Sequence, residues 1–337
     1  MDLKKMLMEL SAAKGVSGTS GAIDAAEQYL AQLGGSIKRD IASGIACVVG
    51  NGKRKIMLDA HIDEIGFVVT AIEDGFIRVA KCGGIDPRTV INQHVTVHGN
   101  RDIVGVFAST PPHLKSDEKS APKIDELLID CGYSDSMIKE IVKIGDRVSF
   151  LCEPRELLNN RITGKSLDNR AGVCAIISAA EKIMQSKADC TLIVSLSAQE
   201  ELGCRGARTA AFEYEPDEAI VVDVSFGDGP DVASYECGKL GKGAMIGVSP
   251  ILDRKMTDGL FDAAESGGFA YQTEAMGGST GTNADFISLT KSGIPTALVS
   301  IPLRNMHTCC EVIDISDVES TAGIIAEYVC GGGDRNA

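Results

Sequence analysis

Thr191-Leu192-Ile193-Val194-Ser195-Leu196-Ser197-Ala198-Gln199-Glu200-Glu201-Leu202-Gly203 is an apolar run that ends on two adjacent carboxylates and a glycine. A short apolar run bounded by turn residues predicts a strand feeding a loop. Consecutive residues at a strand end point in different directions. Glu200 and Glu201 are therefore expected to do different jobs, one binding a metal while its neighbour moves protons. A solvated acidic turn is the ordinary alternative for a Glu pair, and the rest of the chain decides against it.

Working outward, apolar runs alternate with helical periodicity on both sides of this stretch. Towards the N-terminus, helices are expected over residues 2–13 and 22–33, then strands over 45–49 and 55–58. The second strand runs into Asp59-Ala60-His61-Ile62-Asp63-Glu64. From Gly66 the texture changes to short alternating strands at 66–72, 76–80, 95–98 and 103–107, punctuated by Glu73-Asp74-Gly75 and Gly99-Asn100, which is the pattern of a β-barrel. A polar, proline-bearing mobile loop is expected at 110–123, a short helix near 134–142 and a strand at 147–151. The α/β rhythm returns after Gly164, with helices at 169–186, 203–212, 255–266, 283–292 and 316–329 and strands at 190–196, 218–222 and 295–301. A β module thus sits inside an α/β domain. The expected division is 1–67 with 164–337 for the catalytic part and 68–163 for the insert.

The chain has 337 residues, 44% hydrophobic and 24% charged, which suits an ordinary soluble globular protein of about two domains. A formal net charge of -14 argues against a nucleic-acid backbone or an anionic membrane surface as partner. Eleven cysteines without CxxC spacing, and no signal-peptide core after Met1, point to a reducing cytoplasm.

Four potential metal ligands share one local grammar: His61, Glu201, Asp223 and His307 each lie at or just beyond the end of an apolar strand. In open α/β sheets the carboxyl ends of the strands converge on one crevice. Asp168, just ahead of a helix, is placed to bridge. Two dications bring about +4 and three carboxylates remove 3, so a bridging hydroxide would leave the site near neutrality. Imidazole and carboxylate without thiolate suit Zn, Co or Mn. Asp63, two residues after His61, is expected to hold the imidazole N–H.

His61-x-Asp63-Glu64-x-Gly66, Asp168-Asn169-Arg170, Glu200-Glu201-x-Gly203-x-Arg205-Gly206-Ala207, Asp223-Val224 and Arg304-x-Met306-His307 resemble, in order, the motifs of the tetrahedral aminopeptidases, the glutamyl and deblocking aminopeptidase family of dinuclear metallopeptidases. The resemblance covers nearly the whole chain, including Gly83-Gly84, Pro111-Pro112-His113-Leu114 and Gly293-x-Pro295. It implies a metallo-aminopeptidase-type α/β/α sandwich with an inserted β-barrel domain. His61 and Asp223 would hold one ion, Glu201 and His307 the other, with Asp168 between them and Glu200 as general base. It also implies peptide substrates and a homododecamer built from dimers through the barrel. The chain departs from the family pattern at Asn305, Thr308-Cys309 and Asn283, positions expected near the substrate end of the site.

A deacylase of N-acylated amino acids on the same scaffold, or a non-catalytic metal-binding assembly protein, are the alternatives. The second would need Glu200 or a ligand to be missing, and none is. His94 and His98 are expected to be hydrogen-bonded or surface residues, and Cys309-Cys310 to be packing rather than ligands.

Overall fold

The computed structural model describes residues 1–42, 44–109, 113, 122–230 and 232–331. Most of the expected loop at 110–123 therefore lies outside the described residues. Helices α1 (Leu3–Ala12) and α2 (Gly21–Ala31) precede strands β1 (Ser36–Arg39), β2 (Ile45–Gly50) and β3 (Arg54–His61). Then come β4 (Gly66–Glu73), β5 (Phe76–Cys82), β6 (His94–His98), β7 (Asp102–Ala108), β8 (Leu128–Asp130), helix α3 (Asp135–Ile141) and β9 (Arg147–Phe150). After β10 (Arg155–Glu156) and β11 (Arg161–Gly164) follow α4 (Leu167–Ser186), β12 (Cys190–Ser197), α5 (Arg205–Tyr214), β13 (Glu218–Phe226) and β14 (Ala244–Val248). The last elements are α6 (Arg254–Gly267), β15 (Tyr271–Ala275), α7 (Ala284–Ile287), β16 (Thr296–Leu303), β17 (Glu311–Asp314) and α8 (Ile315–Cys330).

The main sheet has eight strands in the order β1-β2-β12-β3-β13-β16-β14-β15. Its centre, β12-β3-β13-β16, is parallel throughout. Both faces are covered, which is why these strands read as unbroken apolar runs. Met57, Ile193, Val221 and Leu298 pack with Ala207 and Ala211 of α5 and Ile287 of α7. Their immediate successors, Leu58, Val194, Val222 and Val299, pack on the other side with Ile176 of α4, Leu260 of α6 and Ile324 of α8. That one-residue alternation builds an α/β/α sandwich. Ending each parallel strand at the same edge brings His61, Asp223 and the segments after β12 and β16 together.

Strands β4-β5-β8-β7-β6-β9 close into a barrel, which removes its sheet edges. Phe67 fills the interior, with ring centroids 4.9 Å from Phe107 and 5.5 Å from Phe150. A third sheet, β10-β11-β17, is antiparallel and joins the segment that leaves the barrel to the strand after β16.

The structure departs from the sequence expectation at several elements. The helix expected over 283–292 is only Ala284–Ile287. Lys291 and Gly293 take left-handed backbone, and Pro295 follows, so the helix cannot continue. Strands β14, β15 and β17 lie outside the expected strands, although β14 is an apolar run. Tyr271–Ala275 is a sheet-edge strand rich in polar residues, and Glu311–Asp314 is four residues with acids at both ends.

Candidate active site

Four strands and one helix start supply the site. His61 closes β3, and its Nδ1 lies 3.1 Å from the carbonyl oxygen of Asp63. Donation there leaves Nε2 pointing at carboxylates, 3.1 Å from Asp168 Oδ1 and 3.6 Å from Asp223 Oδ1. His307 follows β16 in a turn where its own φ is +60°. Its Nδ1 meets the carbonyl oxygen of Gly84 at 2.7 Å. Its Nε2 is 3.2 Å from Asp168 Oδ2 and 3.3 Å from Glu201 Oε1. Each imidazole is thus fixed in one tautomer by a backbone carbonyl, the arrangement that leaves the other nitrogen's lone pair available.

Asp168 can serve both sides because it is not yet helical. With ψ at 104° it stands outside the α4 spiral, at a kink, and its N–H is bound by Glu311 instead. Asn169 does the capping: its Oδ1 accepts the Gly172 N–H at 2.9 Å and its Nδ2 donates to the Val222 carbonyl at 2.8 Å. Arg170 is wholly buried against Gly15, where a Cβ would lie 1.9 Å from the guanidinium, so only glycine fits there.

Two groups of donors result, His61 with Asp168 and Asp223, and Asp168 with Glu201 and His307, the donor atoms within each lying inside 4.8 Å of one another. The electrostatics fit cations. Burial works against charge on His307, yet Asp168 and Glu201 outweigh it and raise the imidazole to about 11. His61 is likewise driven well up by Asp168, Asp223 and Asp63 in spite of burial. Imidazoles that hold protons this strongly face a concentration of negative charge that a metal ion would neutralise.

Glu200 stands in neither donor group. Its Oε1 accepts the Cys204 thiol at 3.2 Å, and its backbone N–H donates to Asp63 Oδ1 at 3.0 Å. Burial pushes its carboxyl up to about 8, with Asp223 and Glu201 adding to the rise and His61 opposing it. Asp63 therefore differs from expectation in detail. Its carbonyl rather than its carboxylate is the nearer partner of His61, the carboxylate oxygen lying 3.6 Å away, while the carboxylate holds Glu200 and the Ser17 hydroxyl at 2.6 Å.

Gly83 and Gly84, at the end of β5, explain themselves here. A Cβ on Gly83 would come within 2.7 Å of Glu201 Oε2 and one on Gly84 within 2.8 Å of His307 Nδ1. The barrel can touch both side chains only because neither residue has a side chain of its own.

Sequence reading missed Glu311. Nearly fully buried at the start of β17, it accepts the backbone N–H of Asp168 on Oε2 at 3.1 Å and that of His307 on Oε1 at 3.0 Å. An acid four residues after His307, facing an apolar pair, was the available signal. The positions that depart from the family pattern make structural contacts around the site. Asn283 is buried beneath the site, donating to Asp59 Oδ1 at 2.8 Å and to the Ser197 hydroxyl at 2.9 Å. Asn305 donates to the Cys310 carbonyl at 3.0 Å within the His307 turn, and Cys309 packs on the barrel core. His98 bonds to Asp102 and Ser149, at 2.9 Å each.

A sheet edge of this kind, presenting imidazoles and carboxylates beside a free carboxyl, defines a metal-dependent hydrolase of the α/β/α class. The model of the M42 glutamyl aminopeptidase family matches residues 43–324, and the chain belongs to that family. It is 32% identical to the lysyl aminopeptidase of Pyrococcus furiosus over 333 residues, 95% of this chain and 94% of that protein. The solved structure of an aminopeptidase from the archaeon Desulfurococcus kamchatkensis superposes with a TM-score of 0.91 at 31% identity, covering 98% of this chain and 94% of the other. A Pyrococcus horikoshii peptidase that can assemble into a tetrahedron or a large octahedral shell gives 0.85 at 28% identity, over 97% and 99%. The protein is accordingly a metal-dependent aminopeptidase. Neither the deacylase nor the non-catalytic alternative is favoured by these relatives.

Proposed function

We propose that the chain removes N-terminal residues from peptides using two divalent ions, Zn, Co or Mn. His61 and Asp223 would hold one, Glu201 and His307 the other, with Asp168 shared and Glu200 as general base. The observation that carries this reading is Asp168, whose two carboxylate oxygens each face a different imidazole. When bound, such ions supply Lewis acidity towards a peptide carbonyl and towards water. The chain's own part is proton handling and positioning. Glu200, desolvated and fixed through its backbone by Asp63, is suited to take a proton from the attacking water and return it to the leaving amine. His61 and His307 are oriented by the Asp63 and Gly84 carbonyls, so neither ring needs to turn during turnover.

An aminoacyl p-nitroanilide should be hydrolysed by the metal-loaded protein and its N-acetylated counterpart spared. Release of acetate from N-acetyl amino acids, with no aminoacyl hydrolysis, would instead establish the deacylase.

Residues 68–163 form, in this reading, the assembly module inserted between the catalytic segments 1–67 and 164–337. A similar structure described as a dodecamer and the shell-forming relative support a large homo-oligomer, which we read as a homododecamer built from dimers. Light scattering should then give twelve chain masses, and a stable dimer at working concentration would rule the shell out. No helix among the described residues is long and apolar enough to cross a membrane. The cysteines, all free, support a cytoplasmic location.

A further inference from the structure

Strand β13 does not stop at Asp223. Ser225 lies two residues further along on the same face, about 6.5 Å at strand rise. On the neighbouring strand, Ser300 is in register with Asp223. The hydroxyls of Ser225 and Ser300 both donate to one carboxylate, that of Glu274 on β15, Ser300 reaching Oε2 at 2.6 Å. This carboxylate lines a cavity of about 750 Å³ whose other walls include Phe226, Tyr235, Met245 and Met276. A second acid, Glu236, stands at the cavity with Glu274, and the described lining contains no Lys, Arg or His.

The cavity reaches Ser225, two residues beyond the proposed ligand Asp223, and has apolar sides with a carboxylate fixed between strands. An ionised carboxylate that accepts two hydroxyls keeps lone pairs for further donors. An acidic side chain entering here would meet like charge without compensation. A side chain with a long apolar stem and a cationic head would lay the stem on the aromatic and methionine walls and put the head on the carboxylate. Lysine's four-carbon stem is comparable in reach to the Asp223–Ser225 offset.

We propose that Glu274 is a specificity-determining residue that selects peptides whose N-terminal residue is lysine or arginine and disfavours acidic ones. This rests on the aminopeptidase reading above. The test compares kcat/KM for the p-nitroanilides of lysine, norleucine and glutamate in the wild type, Glu274→Gln and Glu274→Lys. Norleucine has an apolar chain of similar length, so its hydrolysis by the wild type tests the aminopeptidase reading alone.

Lysine should exceed norleucine by about tenfold or more in the wild type, the scale of one charge-assisted hydrogen bond. In Glu274→Gln the ratio should fall towards one, mainly through a higher KM for lysine. In Glu274→Lys the glutamate-to-lysine ratio should rise above the wild-type value. A lysine-to-norleucine ratio unchanged by Glu274→Gln, or a wild type that prefers glutamate, would overturn the proposal.

Discussion

Replacing Glu200 with glutamine is expected to lower kcat by about 10²- to 10⁴-fold, the range that a positioned general base contributes, while the protein keeps its metal. The two adjacent acids make this a sharp comparison. Glu201 Oε1 lies 3.3 Å from His307 Nε2 and belongs to a donor group, whereas Glu200 belongs to none and its carboxylate meets a thiol. Glutamine at 200 preserves shape and the backbone contact to Asp63 but cannot take up a proton. Glutamine at 201 instead removes an anionic donor, so that variant should lose metal as well as activity. Elemental analysis after gel filtration, run beside kcat, distinguishes the two. A Glu200→Gln protein that has shed its metal would refute the division of labour.

Removing metal should abolish turnover altogether, and adding back Zn, Co or Mn should restore it to different extents. Chelation should proceed best at mildly acidic pH, because protons and cations compete for the same imidazole nitrogens. His307, raised to about 11 by Asp168 and Glu201 without a cation present, shows how strongly the proton is held there. Since that folded-state value lies far above neutrality, metal loading at pH 7 should release protons, which a weakly buffered titration records directly. Full activity after exhaustive chelation, with no residual metal, would exclude the mechanism.

The candidate ligands His61, Glu201, Asp223 and His307 were legible because each closes or follows an apolar run long enough to announce a buried strand, as Leu192 to Leu196 does before Glu201. The barrel was legible from alternation alone, since one face of Phe67, Val69, Ile77 and Val79 is buried and the intervening residues are more exposed. What escaped notice depends on contacts rather than on pattern. Glu311 acts through two backbone N–H groups, one in its own turn and one, that of Asp168, far away in sequence, and no side-chain periodicity encodes that. Glu274 sits in an edge strand whose polar residues read as loop. The approach of Gly83 and Gly84 to Glu201 and His307 needs the barrel and sandwich in place before either glycine has a reason.

Glu311 joins with one carboxylate the backbones of Asp168 and of His307, whose Nε2 faces Asp168. The spacing between Asp168 and His307 is thereby gauged by the polypeptide itself, as the jaws of a caliper are set before anything is placed between them.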